Sequence, residues 1–213
     1  MRQPGWIVVL NGAPRSGKSS IVAALQAMPG DPWMNLGVDV HVRHVTPQAY
    51  RPGIGLRPGG ERPDLEPWIA RFYPALYDSI AAHSRQGLNV VADLGHHEAY
   101  TTLRDVLPAC ARCLAGLPAL LVGVRCPIDV IMARRNAGQA GREGHYVTGA
   151  GDGTIPPPVR RWQDGVHAHG PYDLDVDTSL LGPAACAEAI LERLNDGIPR
   201  PSAFDRLAAP SDQ

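Results

Sequence analysis

The sequence predicts an α/β fold in which a parallel sheet is covered by helices on both faces. Three observations carry that prediction. Short apolar runs alternate with segments of helical periodicity along most of the chain. A glycine-rich loop joins the first apolar run to the first helix, and two of the runs lead into an aspartate. A length of 213 residues suits one domain, or one domain with a lid or insertion.

Residues 6–10 form an apolar run that reads as a buried strand, and residues 19–28 follow as a helix with Ile21, Val22 and Leu25 on one face. Residues 36–38 read as a second, short strand ending at Asp39. Residues 46–64 hold eight prolines and glycines and read as loop. Residues 65–86 read as a helix, with Pro67 allowed in its first turn and Pro74 predicting a kink or break. A third strand over 88–92 ends in Asp93. Residues 98–114 read as a helix disturbed by Pro108, 119–124 as a fourth strand and 128–137 as a helix. A Gly-rich, partly basic segment, 138–153, precedes a helix over 156–167. A fifth strand (174–176) and a closing helix (184–195) follow, and residues 198–213 read as a tail.

Composition narrows the function classes. Hydrophobic residues make up 44% of the chain, enough for a sizeable core, but aromatics only 6%, so Leu, Val, Ala and Ile must fill it. No apolar run is long enough to span a bilayer, and Asn11 and Gly12 interrupt the N-terminal run too early for a secretory signal, so a cytoplasmic protein without a membrane partner is expected. A net charge of −1 argues against a general nucleic-acid binder. Cys110, Cys113, Cys126 and Cys186 are expected as buried or half-buried thiols, because Cys110 and Cys113 form a single C-x-x-C with no second pair. Oligomeric state stays open, a homo-oligomer included.

Lys18 is the only lysine among twenty basic residues. It lies in Gly12-Ala13-Pro14-Arg15-Ser16-Gly17-Lys18-Ser19, which fits G-x-x-x-x-G-K-[ST], with Ser20 following. Glycines there let the backbone wrap a phosphate, with N–H groups inward and the positive end of the next helix behind them. Residues 12–20 are therefore the expected nucleotide-binding segment for ATP. In it Lys18 reaches the β- and γ-phosphates and Ser19 ligates Mg²⁺. A GTPase would need an N-K-x-D base-reading motif, which a chain with one lysine lacks. The size suits a small-molecule kinase better than a motor ATPase.

Carboxylates at strand ends suit chemistry in open parallel sheets. Asp39 is the expected catalytic base, taking a proton from an acceptor hydroxyl. Asp93 is expected to hold Mg²⁺ or its water shell, or to position that hydroxyl. His96, His97 and Glu98 come next, and His96 is the expected substrate contact. Arg134 and Arg142 flank the Gly-rich stretch and are expected to close over the transferring phosphoryl group, whereas Arg135 is assigned to a solvated face. Asp173, Asp175 and Asp177 fail a calcium-loop pattern, because Thr178 and Ala184 stand where Gly and Glu are needed, and read as strand and turn aspartates. Trp68, Phe72, Tyr73 and Tyr77 read as a core stripe that would favour a flat, apolar acceptor if it lined a pocket.

Taken in order, these pieces resemble the chloramphenicol phosphotransferase-like family of P-loop kinases. The matching segments are Leu10-Asn11-Gly12 running into Ser16-Gly17-Lys18-Ser19, then Gly37-Val38-Asp39, Val90-Val91-Ala92-Asp93, Val122-Gly123-Val124-Arg125-Cys126 and Tyr172 through Thr178. They cover most of residues 6–195. The resemblance implies a five-stranded sheet of order 2-3-1-4-5 with a small lid, and one kinase domain over 1–197. Within that domain the lid would span about 138–158 and a variable substrate loop about 40–66, with a tail at 198–213. It implies transfer of the ATP γ-phosphoryl group to an alcohol, an antibiotic such as chloramphenicol or a related metabolite. Asp39 would be the catalytic aspartate, and Arg134 and Arg142 the lid arginines. The stretch 40–64 departs from the family pattern, and Leu94 follows Asp93 where the type enzyme has a second aspartate. A kinase of a nucleoside, sugar or nucleotide-sugar is the nearest alternative, and a nucleotide-binding regulator with weak hydrolysis the alternative from another class.

Overall fold

The computed structural model describes residues 3–58, 62–102, 105–138, 147–149, 153–170 and 172–209. Five parallel strands form one sheet in the order β2-β3-β1-β4-β5, as the resemblance implies. The strands are β1 (Ile7–Asn11), β2 (Trp33–Asn35), β3 (Asn89–Leu94), β4 (Ala119–Arg125) and β5 (Leu174–Asp177). Side chains alternate across a strand, and both faces of β1 are covered. Ile7 and Val9 join one apolar cluster, while Val8 and Leu10 join another. A strand buried on both faces needs an unbroken apolar run, which is why β1 is plain in the sequence.

Helices α1 (Lys18–Ala27) and α7 (Pro183–Asn195) pack together over one face. Helices α3 (Glu66–Arg85), α4 (Val106–Cys113) and α8 (Ala203–Ala208) cover the other. A third apolar cluster lies where α5 (Ile128–Asn136) and α6 (Pro157–Gly165) meet Ala13 and Cys126. The tail is tied down at α8. Ser202 and Asp205 form a reciprocal cap, and Phe204 is buried. All four cysteines are free thiols, buried or half-buried as expected. No helix among the described residues is long and apolar enough to cross a membrane.

Three expectations fail locally. Residues 36–38 are not a strand. β2 ends at Asn35, and Val38–Val40 (α2) opens a helical turn that continues as a π-helical turn over His41–Val45. Asp39 therefore sits in the first turn of a helix, not at a strand end. The apolar residues Leu36 and Val38 read as strand because they are apolar and half-buried, yet they pack on the cluster beneath α3 from a turn. Residues 98–102 and Asp105 are not helical, and α4 begins at Val106, which leaves Pro108 in the first turn where its missing N–H costs nothing. Of the kink or break expected at Pro74, the break does not occur, since α3 runs unbroken over twenty residues.

Candidate active site

Residues Gly12 to Gly17 leave the end of β1 and turn into α1. The sheet order reverses at β1, whose neighbours are β3 and β4, so a crevice opens at the carboxyl ends of these strands. A cavity of about 680 Å³ fills it. Gly12, Pro14, Arg15, Gly17, Lys18, Ser19 and Ser20 line one end, whereas Ala13 and Ser16 are buried behind the loop. Gly17 and Arg15 both have positive φ (100° and 74°). A Cβ on Gly12 would stand 2.6 Å from the Val124 carbonyl and 2.8 Å from Ser16 Oγ, so only glycine fits there. No side chain caps α1, and its first turn holds no acidic residue. Its leading N–H groups are left for an anion.

Lys18 is buried. Its Nζ donates to the Gly12 carbonyl at 2.7 Å and the Ala13 carbonyl at 2.9 Å. Burial lowers its pKa to about 8; Asp93 and Asp39 pull it back up, and Arg135 pushes it further down. Ser19 Oγ donates to Asp93 Oδ2 at 2.7 Å. Asp93 is 4% exposed, and burial raises its pKa against the opposing pulls of the Ser19 hydroxyl and the Lys18 cation. Gly37 makes this placement possible, because a Cβ there would fall on Asp93 Oδ1. Asp39 lines the cavity two residues beyond Gly37, and its charge is felt by both Lys18 and Asp93.

The two neighbouring arginines of α5 diverge. Arg134 Nη1 donates to the Arg15 carbonyl (3.3 Å), to Thr178 Oγ1 (3.1 Å) and to Cys126 Sγ (3.4 Å), and Nη2 donates to the Thr178 carbonyl at 2.7 Å. Arg15 returns the contact by donating to the Arg134 carbonyl, and to the Gly138 carbonyl at 3.0 Å. Arg134 thus knits the glycine-rich loop to the end of β5. Arg135, assigned from sequence to a solvated face, is 6% exposed, lines the cavity and donates to the Val147 carbonyl at 3.2 Å. It lies one helical turn after the buried Ile131, a spacing that marks the inward face. Arg142 and most of the expected lid lie outside the described residues.

The opposite end of the cavity is largely apolar. Val38, Val42, Pro52, Ile54 and Leu56 form one wall, Trp162 of α6 approaches Gly95, and Arg57, Arg62, Pro158 and Val159 are also in the lining. Within residues 46–64, expected as loop, the described residues hold 3-10 turns at Gln48–Tyr50 and Gly53–Gly55, and a third, Pro63–Leu65, runs into α3. Buried anchors hold the wall. Tyr73 Oη donates to the Ile54 carbonyl at 2.9 Å, and His97 Nε2 lies 3.0 Å from the Leu56 carbonyl. The His97 ring also meets Trp162 edge-on at 5.6 Å. The expected aromatic stripe on α3 supports this wall without lining it. His96 does not line the cavity either. It lies between the end of β1 and α3, where its backbone N–H donates to Asn11 Oδ1 at 2.7 Å and its Nε2 meets Tyr77 Oη at 2.9 Å. Burial drives its pKa well below the ordinary histidine value. Asp173 accepts from the Leu121 and Ala203 amides, Asp175 pairs with Arg125 at the surface and Asp177 caps Ser179, so all three are strand and turn aspartates.

The donor set fits a magnesium-bound triphosphate. The glycine-rich loop, the uncapped α1 and the Lys18 ammonium suit phosphate oxygens. The Ser19 hydroxyl and Asp93 carboxylate, already 2.7 Å apart, are the hard oxygen ligands that Mg²⁺ takes. The described residues hold no cluster of three or more His, Cys, Asp or Glu groups suited to a metal ion. A Mg²⁺ held here would keep several waters, as is usual beside nucleotide phosphates.

Comparison with known proteins agrees with this fold. The profile of a family described as chloramphenicol phosphotransferase-like protein matches residues 5–195. A Mycobacterium tuberculosis protein named as a proposed O-phosphotransferase, from strain H37Rv, is 26% identical over 217 residues, covering 95% of this chain and 88% of that one. An unliganded sugar kinase from Janibacter sp. HTCC2649 superposes with a TM-score of 0.58 at 19% identity, covering 90% of this chain and 95% of that one. The APS kinase CysC of M. tuberculosis, in complex with AMPPNP and APS, gives 0.56 at 15% identity, with 90% and 98% covered. At these identities the two structures show the shared fold.

Proposed function

The chain belongs to the chloramphenicol phosphotransferase-like family, and from that premise we propose that it moves the γ-phosphoryl group of ATP to a hydroxyl of a small molecule, with Asp39 as general base. One observation carries the reading. A single cavity has the glycine-rich loop with Lys18 at one end and an apolar wall at the other, with Asp39 lining it beside Lys18 and Asp93. A regulator needs the first end only.

The loop amides and Lys18 hold the phosphates. Ser19 and Asp93 would hold Mg²⁺, which supplies charge neutralisation on the phosphate oxygens when bound. The acceptor's apolar body lies along Val38, Val42, Ile54 and Leu56 with Trp162 across from it, and its hydroxyl faces Asp39. Asp39 takes the hydroxyl proton as the oxygen bonds to the γ-phosphorus, the bond to the β–γ bridging oxygen breaks, and ADP leaves. Arg135 stabilises the charge on the moving group, the role expected for Arg134, whose guanidinium is engaged with the loop backbone and Thr178. Arg142 belongs to the same proposal as a second cation. Chloramphenicol is the first acceptor to try, with sugars and nucleosides beside it.

The test is ADP release with and without a panel of alcohols, read together with a mass gain of one phosphate on the alcohol. Acceptor-dependent release is expected. Asp39→Asn should lower it by at least about 10²-fold while MgATP still binds. Slow release that no alcohol stimulates would overturn the kinase reading in favour of a regulator.

A further inference from the structure

Thr178 follows β5 and stands against the outer side of the glycine-rich loop. Its Oγ1 donates to the Ser16 carbonyl at 2.6 Å and accepts from Arg134 Nη1 at 3.1 Å. The Arg125 carbonyl lies farther off, at 3.4 Å, so the single hydroxyl proton belongs to Ser16. The Thr178 amide donates to that Arg125 carbonyl at 3.0 Å, which fixes the residue to the end of β4. Its own carbonyl accepts from Arg134 Nη2 at 2.7 Å. Its methyl covers Gly17, where an added Cβ would stand 3.2 Å from Thr178 Cγ2. Arg134 extends the same clasp to the Arg15 carbonyl at 3.3 Å.

Two consecutive loop carbonyls, those of Arg15 and Ser16, are therefore drawn toward one threonine–arginine pair. In a trans peptide the carbonyl and the following N–H point to opposite sides. Holding the Ser16 carbonyl outward aims the Gly17 N–H away from the clasp. Holding the Arg15 carbonyl outward aims the Ser16 N–H inward, where it donates to the Ala13 carbonyl at 3.0 Å. Gly17 takes its positive φ freely, whereas Arg15, a non-glycine residue at positive φ, holds a conformation that persists only when the surroundings fix it.

We infer that Thr178 and Arg134 are positioning residues for phosphate binding, acting through the loop backbone from outside it. The inference rests on the nucleotide-binding half of the proposed function and is independent of the acceptor. It departs from the lid role expected for Arg134, and it gives Thr178 a task beyond closing the turn after β5. Both residues line the cavity, so the rival explanation is direct contact with the nucleoside.

Calorimetric titration with two probes separates these explanations: Mg²⁺-ATP and Mg²⁺-tripolyphosphate, which has no nucleoside. Thr178→Val keeps the shape and the methyl on Gly17 but removes the hydroxyl. It should weaken both probes by the same factor, about tenfold, because a buried carbonyl loses its donor and the loop is released. Thr178→Ser keeps the hydroxyl and should stay within about threefold of the wild type. Arg134→Lys, which cannot bridge both carbonyls, should weaken both probes equally. It carries the test if Thr178→Val fails to fold, as judged by its melting curve. Weakened ATP binding with unchanged tripolyphosphate binding would overturn the inference in favour of nucleoside contact, and so would wild-type binding of both probes by Thr178→Val. ATP binding without acceptor-stimulated ADP release would sink the kinase reading alone; a wild-type protein that binds neither probe would sink both.

Discussion

The two ends of the cavity are built by different physics. At the phosphate end the geometry is set by backbone: a six-residue turn with two positive φ values, an uncapped helix, and carbonyls drawn outward by Arg134 and Thr178. At the other end, the one proposed for the acceptor, it is set by packing. Short helical turns are propped on α3 by Tyr73 and on the β3–α4 connection by His97, and they present Val38, Val42, Ile54 and Leu56. A phosphate is the same charged object in every nucleotide, so donor geometry must be fixed and few residue types provide it. An acceptor is recognised by shape, and many apolar side chains can make a given shape. Substitutions at the first end should therefore change turnover or nucleotide affinity, and those at the second should change acceptor affinity.

The largest effect that would sharpen the contrast is on α5. Arg135→Gln should lower kcat by about 10²-fold, the usual loss for one preorganised donor to developing charge, with MgATP affinity within a few-fold. Steady-state kinetics beside Arg134→Lys checks it. If Arg134 carries the kcat loss and Arg135 none, the division of labour between the two arginines is reversed.

Next in size is the pH dependence of nucleotide capture. Burial lowers Lys18 to about 8 in the free protein. The ammonium, which is the form that holds phosphate, is complete well below that value and lost above it. The ratio kcat/KM for MgATP reports groups of the free enzyme, so it should be flat below pH 7 and fall about tenfold per unit above pH 8. A profile level to pH 9.5 would show that Lys18 keeps its charge and would remove this difference between the ends.

The smallest effect is expected at the acceptor wall. Trp162→Ala removes the aromatic side of the pocket and loosens the edge contact with His97. The acceptor KM should rise about tenfold, equivalent to about 1.4 kcal/mol, with kcat and the MgATP KM little changed. A loss confined to kcat or to MgATP would show that α6 serves the phosphate end, and the comparison would break.

The sequence carried these ends unequally, and the reason is visible in particular residues. Gly12 to Ser19 are legible because each residue answers a backbone requirement that no other type meets as well. Asp93 is legible because a buried strand advertises itself by an unbroken apolar run. Asp39 lines the cavity although its element was misread, because Gly37 is demanded by the Asp93 carboxylate and holds its place whether the next residues are strand or turn. His96 misled because a histidine after a strand end looks available, while its surroundings of Tyr73, Tyr77 and Asn11 come from distant parts of the chain. Arg135 was within reach through its spacing from Ile131 and was obscured by the adjacent, equally charged Arg134.

By itself, then, the sequence determined the layered fold, the place of the phosphate loop and the single lysine within it, because periodicity and backbone conformation are local properties. Only the tertiary structure decided that Arg134 is tied to the loop backbone while Arg135 is buried beside the cavity, that Thr178 grips the loop, and which apolar residues of 38–56 line the cavity together with Trp162. Those depend on which faces meet across segments as far apart as Ser16 and Thr178, and no local pattern encodes that meeting.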